Sequence, residues 1–183
     1  MVPSSRYDPH KHHRRSIRLK GYDYSQAGMY FLTICTYNRQ CLFGEVVEDF
    51  DGTATIKLNR CGEIVRDAWL RTPVLRPNVV LGEWVIMPNH IHAVVIILER
   101  KTAVSSPPSP FQSPSQTVGA IVRGFKASVT KQINDHHATT AVPVWQRNYW
   151  EHIIRNEASY GKIANYITNN PNTWQTDKLY VDH

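Results

Sequence analysis

Apolar and β-branched residues cluster in short stretches that predict β-strands in the first part of the chain. Residues 30–37 are rich in aromatic and β-branched side chains, which is typical of a strand in the centre of a sheet. Two shorter strands are predicted near 41–48 and 53–58. They flank Asp51-Gly52, a strong signal for a β-hairpin.

Two longer apolar runs follow at 79–87 and 90–98, and only Pro88-Asn89 separates them. Such a short connection indicates a hairpin or a tight turn, so these two strands are predicted to be antiparallel neighbours. A further short strand or turn is predicted within the extended connection at 142–154.

Apolar residues recur at helical spacing in three other segments. The first helix covers about 61–71, and Pro73 closes it. The third begins after Asn156, a plausible N-cap, and runs to about residue 169, where Pro171 stops it. The second is amphipathic, with an apolar face formed by Val118, Ile121, Val122, Phe125, Val129 and Ile133.

This order of elements predicts an α+β fold of the ferredoxin-like (RRM-like) type, an antiparallel sheet with helices packed mainly on one face. A chain of 183 residues has the size of one domain. We expect that domain at 21–175, with a Pro/Ser-rich loop at 101–117. A basic N-terminal arm at 1–20 would precede it, and a C-terminal tail at 176–183 would follow.

Composition excludes several classes of protein. No apolar run is long enough to span a bilayer, and no hydrophobic stretch follows the basic N-terminus as in a secretory signal. The three cysteines include no C-x-x-C pair, which argues against a disulfide framework and a structural zinc site. We therefore expect a cytoplasmic protein with no membrane association.

The net charge of +6 is concentrated in the N-terminal arm, which holds six basic residues and one acidic residue. Such an arm commonly contacts a polyanion, most often nucleic acid, although it would also suit a disordered solubilising tail. The predicted DNA contacts of the arm are Arg14, Arg15, Arg18 and Lys20.

His90 and His92 lie one residue apart in an apolar strand, so both side chains point to the same face. Burying two neighbouring imidazoles is costly unless their nitrogens are used, and a divalent metal ion is the usual user. The alternative is a pair of histidines satisfied by ordinary hydrogen bonds.

Tyr166 and Asn170 lie four residues apart in the last helix and therefore on one face, with Lys162 one turn before them. A neighbouring apolar stripe of Tyr160, Ile163 and Ile167 could pack the helix on the sheet. A phenol is a weak nucleophile at neutral pH, but a metal ion can orient and polarise a phosphodiester for it.

His90, His92 and the amide oxygen of Asn170 would form a mixed nitrogen and oxygen ligand set. Together with substrate oxygens this set suits Mg²⁺ or Mn²⁺, although imidazoles also accept zinc. Tyr166 would be the nucleophile; the alternative is an ordinary core tyrosine.

The His90-Ile91-His92 run resembles the histidine-hydrophobic-histidine (HUH) motif of single-stranded-DNA transposases that use one catalytic tyrosine. The surrounding sequence resembles the REP-associated tyrosine transposases in particular. The likeness covers residues 13–175 apart from the Pro/Ser-rich loop. It is carried by residues 15–24, 30–36, 84–92, 145–157 and 166–171.

The resemblance implies that 21–175 is a catalytic domain with Tyr166 as nucleophile and Asn170 as the third metal ligand. Mobile insertion-sequence relatives have glutamine at that ligand position. It further implies a homodimer that cleaves single-stranded DNA beside an imperfect hairpin and forms a 5′-phosphotyrosyl link, with no nucleotide cofactor. The link would keep the energy of the broken bond for rejoining.

Two alternatives stay open at this point. A domesticated relative could bind hairpin DNA without cleaving it. A small zinc hydrolase could use the same histidines, but it lacks an obvious acidic general base beside them, since Glu83 and Glu99 are distant in sequence. Tyr149 and Trp150 could stack on unpaired bases or belong to the core. Further candidate DNA contacts outside the arm are Arg123, Lys126, Arg155 and Lys162.

Overall fold

The computed structural model describes residues 26–99 and 117–181. The predicted arm at 1–20, with Arg14, Arg15, Arg18 and Lys20, lies outside the described residues, as does nearly all of the Pro/Ser-rich loop. The strands are β1 (Gly28–Cys35), β2 (Gly44–Glu48), β3 (Ala54–Leu58), β4 (Val79–Met87), β5 (His90–Ile97) and β6 (Trp150–Ile154). The helices are α1 (Arg60–Leu70), α2 (Thr72–Leu75), α3 (Val118–His136) and α4 (Glu157–Asn169), with 3-10 helices at Tyr37–Arg39 and Pro171–Thr176.

Four strands form an antiparallel sheet in the order β4-β5-β1-β6. With α1 between β1 and β4, and α3 between β5 and β6, this is the ferredoxin-like arrangement that the element order predicts. The prediction that β1 is central is confirmed, since it pairs with β5 on one side and β6 on the other. The hairpin of β2 and β3 forms a separate two-stranded sheet.

Side-chain caps set the starts of the three long helices. Asn59, Thr117 and Asn156 each accept a hydrogen bond from a backbone N–H in the first turn of the following helix. The predicted cap at Asn156 is confirmed, and α4 ends shortly before Pro171. These local signals determine where each helix begins, because the first N–H groups have no partner within the helix.

The two faces of the sheet pack against different helices. Tyr30, Leu32 and Ile34 of β1 lie in the large core with residues of α1 and α3. Phe31, on the opposite face of β1, lies in a smaller core with Ile167 of α4. The predicted apolar stripe of α4 therefore packs on the sheet, but on the face opposite α1 and α3. This second face is also the one that carries His90 and His92, since side chains alternate along β5.

None of the helices in 26–99 and 117–181 is long and apolar enough to cross a membrane.

Gly62, in the first turn of α1, is needed for the close approach of this helix to the preceding chain. A Cβ added there would clash with the backbone carbonyl oxygen of Phe43, which cannot move aside as a flexible side chain could. We expect Gly62→Ala to lower the free energy of unfolding by about 1–3 kcal/mol in urea titrations. Gly161→Ala in α4 is the matched control, because a Cβ there meets nothing within 4 Å. That variant should be neutral or more stable, and equal losses in both variants would contradict the steric explanation.

Candidate active site

His90 and His92 lie side by side on β5, on the face that packs against α4. His92 pairs across the sheet with Thr33 of β1, and His90 pairs with Cys35. Both side chains are buried, and their ring centroids are 4.4 Å apart. The predicted placement of two imidazoles on one face of a buried strand is therefore present in the structure.

Asn89 determines which nitrogen of His90 carries the proton. The side-chain NH₂ of Asn89 donates to the carbonyl oxygens of Arg39 and Leu179, at 3.2 and 2.8 Å, so its Oδ1 acts as the acceptor toward His90. His90 Nδ1 lies 2.8 Å from that Oδ1 and must therefore be the N–H. His90 Nε2 is left with a free lone pair, and this buried atom has no hydrogen-bond partner.

His92 links the sheet to the predicted nucleophile. Its Nδ1 lies 2.9 Å from the hydroxyl of Thr33, and its Nε2 lies 3.1 Å from the hydroxyl of Tyr166 on α4. The Tyr166 ring packs edge-on against Phe31, 6.1 Å between centroids. The phenol oxygen is thus held directly beside the histidine pair.

Asn170 follows Tyr166 by one turn and is fully buried. Its side-chain NH₂ donates to Asp177 Oδ2 at 3.0 Å, so its Oδ1 is an acceptor, and this oxygen has no hydrogen-bond partner. His90 Nε2 and Asn170 Oδ1 are therefore two buried acceptor atoms with no donor to satisfy them.

Asp177 lies in the segment that the sequence predicts to be a C-terminal tail, but the structure places it in the site. Its Oδ2 accepts hydrogen bonds from both Tyr166 and Asn170, and its Oδ1 accepts one from the backbone N–H of Leu179. The segment is held in place because Leu179 O accepts from Asn89, and Lys178 O accepts from Arg39.

Neither Asp177 nor Asn89 was identified from the sequence. Asn89 carried a usable signal, since it is a polar residue in a two-residue turn between buried strands and must find partners inside the protein. Asp177 had none, because it reaches the site only through the 3-10 helix that begins at Pro171.

Burial keeps both histidines neutral. It lowers the pKa of His90 to about 3, and the neighbouring His92 adds to this effect. Burial likewise lowers the pKa of His92 to about 4, although the charge of Asp177 opposes it. Neutral imidazoles are the form that binds metal ions.

The Tyr166 phenol is protonated in this environment. Burial, followed by the charge of Asp177, raises its pKa to about 12. Burial also acts to raise the pKa of Asp177, but hydrogen bonds from Leu179 and Asn170 hold it below its usual range. The site thus pairs a neutral phenol with an ionised carboxylate.

The two histidines fit a metal ion only if the third ligand is the side-chain amide of Asn170, and not another histidine or an acidic residue. Within the described ranges no group of three or more histidine, cysteine, aspartate or glutamate residues is arranged to hold a metal. However, His90 Nε2 and Asn170 Oδ1 are unsatisfied acceptors, and the imidazole of His92 lies next to that of His90, 4.4 Å between centroids. A cation would compensate the burial of these atoms.

A cleft of about 970 Å³ opens onto the site. Aromatic side chains form much of its wall, and the exposed Lys178 also lines it. The aromatic and site residues along this wall are Phe31, His92, Tyr149, Trp150, Tyr166 and Asp177.

The predicted DNA contacts that the structure describes do not gather at this cleft. Lys126 donates to the carbonyl oxygens of Gln146 and Asn148, which uses two of its three N–H groups inside the protein. Arg123 is exposed on α3, beyond the opposite face of the sheet. Arg155, directly after β6, and Lys162, on α4, are also exposed.

Glu83 and Glu99, the carboxylates considered for a zinc hydrolase, lie away from the histidines, and the carboxylate that the structure brings to the site is Asp177. Glu83 accepts a hydrogen bond from the hydroxyl of Tyr160. Tyr160 lies on a different face of α4 from Tyr166. Glu99 is exposed beyond the end of β5. Neither places an acidic general base beside His90 and His92.

Comparison with known proteins finds a similarity to transposases, both in sequence and in fold. The chain is 27% identical to the REP-associated tyrosine transposase of Escherichia coli K12 over 109 residues, which are 60% of this chain and 53% of that protein. The alignment thus spans about half of that relative. A solved structure described as a REP-associated tyrosine transposase bound to a REP hairpin matches with a TM-score of 0.55 and 21% identity, covering 90% of this chain and 77% of that one.

The structural match shows that the chain shares the fold of a REP-associated tyrosine transposase. It is also 44% identical to an uncharacterised protein of Haemophilus influenzae over 186 residues, covering 98% of this chain and 99% of that protein. The chain belongs to the same family as that Haemophilus protein. No model of a known protein family matches it.

The neutral histidines make stability depend on pH. An unfolded chain protonates its histidines below about pH 6.5, whereas folded His90 and His92 stay neutral down to about 3 and 4. We expect the free energy of unfolding to fall from pH 6.5 toward pH 4, by about 1 kcal/mol per pH unit for each histidine. Urea unfolding between pH 7 and 5 should show a shallower slope in His90→Gln and His92→Gln. Exposed His136→Gln is the control, and an unchanged slope in all variants would contradict this assignment.

Asn89 should be necessary for both stability and the state of His90. Asn89→Ala leaves Leu179 O, Arg39 O and His90 Nδ1 without their partner, so we expect a loss of about 2 kcal/mol in unfolding free energy. NMR of the ring nitrogens should show the Nδ1–H tautomer of His90 in the wild type and a tautomer mixture in the variant. Asn165→Ala, exposed on α4, should change neither quantity. A wild-type tautomer population in Asn89→Ala would show that another group orients His90.

Proposed function

We propose that this protein is a metal-dependent single-stranded-DNA transposase or endonuclease. It cleaves and rejoins DNA next to hairpin sequences through a covalent link to Tyr166. The observation that carries this proposal is the hydroxyl of Tyr166, which lies 3.1 Å from His92 Nε2 and faces an open cleft. Beside it are the two unsatisfied buried acceptors of His90 and Asn170.

The neutral phenol needs a proton acceptor before it can attack. Its pKa of about 12 means that little phenolate is present at neutral pH. The carboxylate of Asp177 lies 3.2 Å from the phenol oxygen and accepts its hydrogen bond. Asp177 is therefore placed to orient the hydroxyl and to receive its proton as the oxygen attacks.

His90 Nε2, His92 Nε2 and Asn170 Oδ1 would hold the metal ion, with Mg²⁺ or Mn²⁺ proposed. For His92 Nε2 to be a ligand, the ring proton must lie on Nδ1, where the Thr33 hydroxyl 2.9 Å away can accept it. When bound, such an ion polarises the scissile phosphate and neutralises the charge that develops on it. The protein prepares the ligands by keeping both imidazoles neutral and by turning the amide oxygen of Asn170 toward the site. Asp177 does this by accepting from the NH₂ of the same amide.

The proposed reaction exchanges one phosphoester bond for another. The Tyr166 oxygen forms a bond to phosphorus, the bond from phosphorus to the 3′-oxygen breaks, and that oxygen leaves as a 3′-hydroxyl after taking a proton. In the reverse direction a 3′-hydroxyl attacks the phosphotyrosine and releases Tyr166. Because the phosphotyrosyl bond retains the energy of the broken bond, no nucleotide cofactor is required.

The proposed substrate is single-stranded DNA that contains a hairpin. The solved structure with the matching fold is described as bound to a REP hairpin, which supports this choice. The net charge of +6 and the basic residues of the N-terminal arm support a polyanionic partner. A homodimer stays a prediction.

Labelled hairpin DNA tests the chemistry directly. The protein is incubated with Mn²⁺ or Mg²⁺ and a single strand labelled at either end, then separated under denaturing conditions. We expect the 3′-labelled strand to become attached to the protein and the 5′-labelled fragment to be released with a free 3′-hydroxyl. Tyr166→Phe and chelator should abolish the adduct, and His90→Ala should reduce it at least about 100-fold.

Tyr160→Phe is the matched control, because Tyr160 is a second phenol on α4 that contacts Glu83 instead of the histidines. It should retain the adduct. An adduct that persists in Tyr166→Phe would refute the choice of nucleophile. Tight hairpin binding without any adduct, unchanged by chelator or by His90→Ala, would establish the non-cleaving binder instead.

A further inference from the structure

Trp150 is an unusual tryptophan in this chain because its indole is open to solvent beside the candidate active site. Its exposed fraction is 47%, whereas Trp69, Trp145 and Trp174 are buried at 8% or less, and Trp84 is only partly exposed. Exposing a large aromatic ring in water has a free-energy cost that a bound apolar or aromatic ligand would remove.

The strand register directs this ring into the cleft. Trp150 pairs with Thr33 of β1, and the hydroxyl of Thr33 contacts His92. The indole therefore lies on the same face of the sheet as the histidines and Tyr166. It lines the cleft together with them.

Neighbouring rings hold the indole in position before any ligand arrives. The imidazole of His152 lies parallel to it, with an interplanar angle of 4° and 5.8 Å between centroids. Phe31 meets it nearly at a right angle, 5.5 Å between centroids. A ring that is already fixed loses little conformational freedom on binding, so more of the stacking energy appears as affinity.

Phe31 also sets the distance from Trp150 to the nucleophile. The same phenyl ring contacts both the ring of Tyr166 and the indole of Trp150. The indole is thus one ring beyond Tyr166 along the wall of the cleft. A nucleotide next to a phosphate held at Tyr166 would have its base near this indole.

We propose that Trp150 is a stacking site for an unpaired nucleobase adjoining the scissile phosphate. The proposal rests on the proposed function, in that the ligand is the single-stranded part of the DNA substrate. Aromatic stacking accepts any base, so this site would position the strand rather than read its sequence. Lys178, an exposed cation lining the same cleft, suits the phosphates of the same strand.

The test measures binding without cleavage, with the full chain carrying Tyr166→Phe. Fluorescein-labelled hairpin DNA with an unpaired flank is titrated, and each flanking nucleotide is replaced in turn by an abasic one. Trp150→Ala should weaken binding of the intact DNA about 5- to 100-fold. That loss should disappear on the DNA that lacks the base stacked on Trp150, because the contact between that base and the indole is then already absent.

Two further variants separate stacking from a structural effect. Trp150→Phe keeps an aromatic ring and should retain most of the affinity, with an unchanged melting temperature. Phe50→Ala, fully exposed in the turn between β2 and β3, should not change binding. Wild-type affinity in Trp150→Ala, or the same loss on every abasic DNA, would overturn the proposal.

The outcomes also distinguish this proposal from the proposed reaction. A position-specific coupling to Trp150, combined with no covalent adduct when Tyr166 is present, would support the stacking site and refute the cleavage. A covalent adduct without any position-specific coupling to Trp150 would support the cleavage and refute the stacking site. Failure to bind any of these DNAs would overturn both.

Discussion

The buried side-chain amide of Asn89 is the interaction on which the candidate site depends. Its NH₂ group joins two separate parts of the chain, the 3-10 turn at Arg39 and the C-terminal segment at Leu179. Its oxygen accepts from His90 and so leaves the other nitrogen of that ring with a lone pair. One amide with all its hydrogen bonds satisfied thus sets both the shape of the site and the chemical state of a proposed ligand.

The large apolar core and the candidate site lie on opposite faces of the sheet. The face toward α1 and α3 carries the large apolar core, whereas the face toward α4 holds a smaller apolar cluster beside the polar site. Because α4 is anchored through Ile167, the neighbouring turn can present Tyr166 to the cleft and Asn170 to the buried histidines. Burial on this face keeps the imidazoles neutral, and that state is what a metal ion requires.

Much of the fold was predictable because its signals are local. The hairpin, the central position of β1, the strands around Pro88-Asn89 and the cap at Asn156 all follow from turn chemistry and periodicity. The face on which α4 packs was not predictable, since either face of the sheet offered apolar residues. Lys126 shows the same limit, because the sequence could not show that its ammonium group donates to two backbone carbonyls.

The sequence by itself determined that His90 and His92 share a strand face and that Tyr166 and Asn170 share a helix face. Those relations come from the backbone periods of two and 3.6 residues, which hold in any fold. Only the tertiary structure decided that the two faces meet, with Asp177 between Tyr166 and Asn170 and Asn89 behind His90. These contacts join residues far apart in the chain, and packing rather than local spacing brings them together.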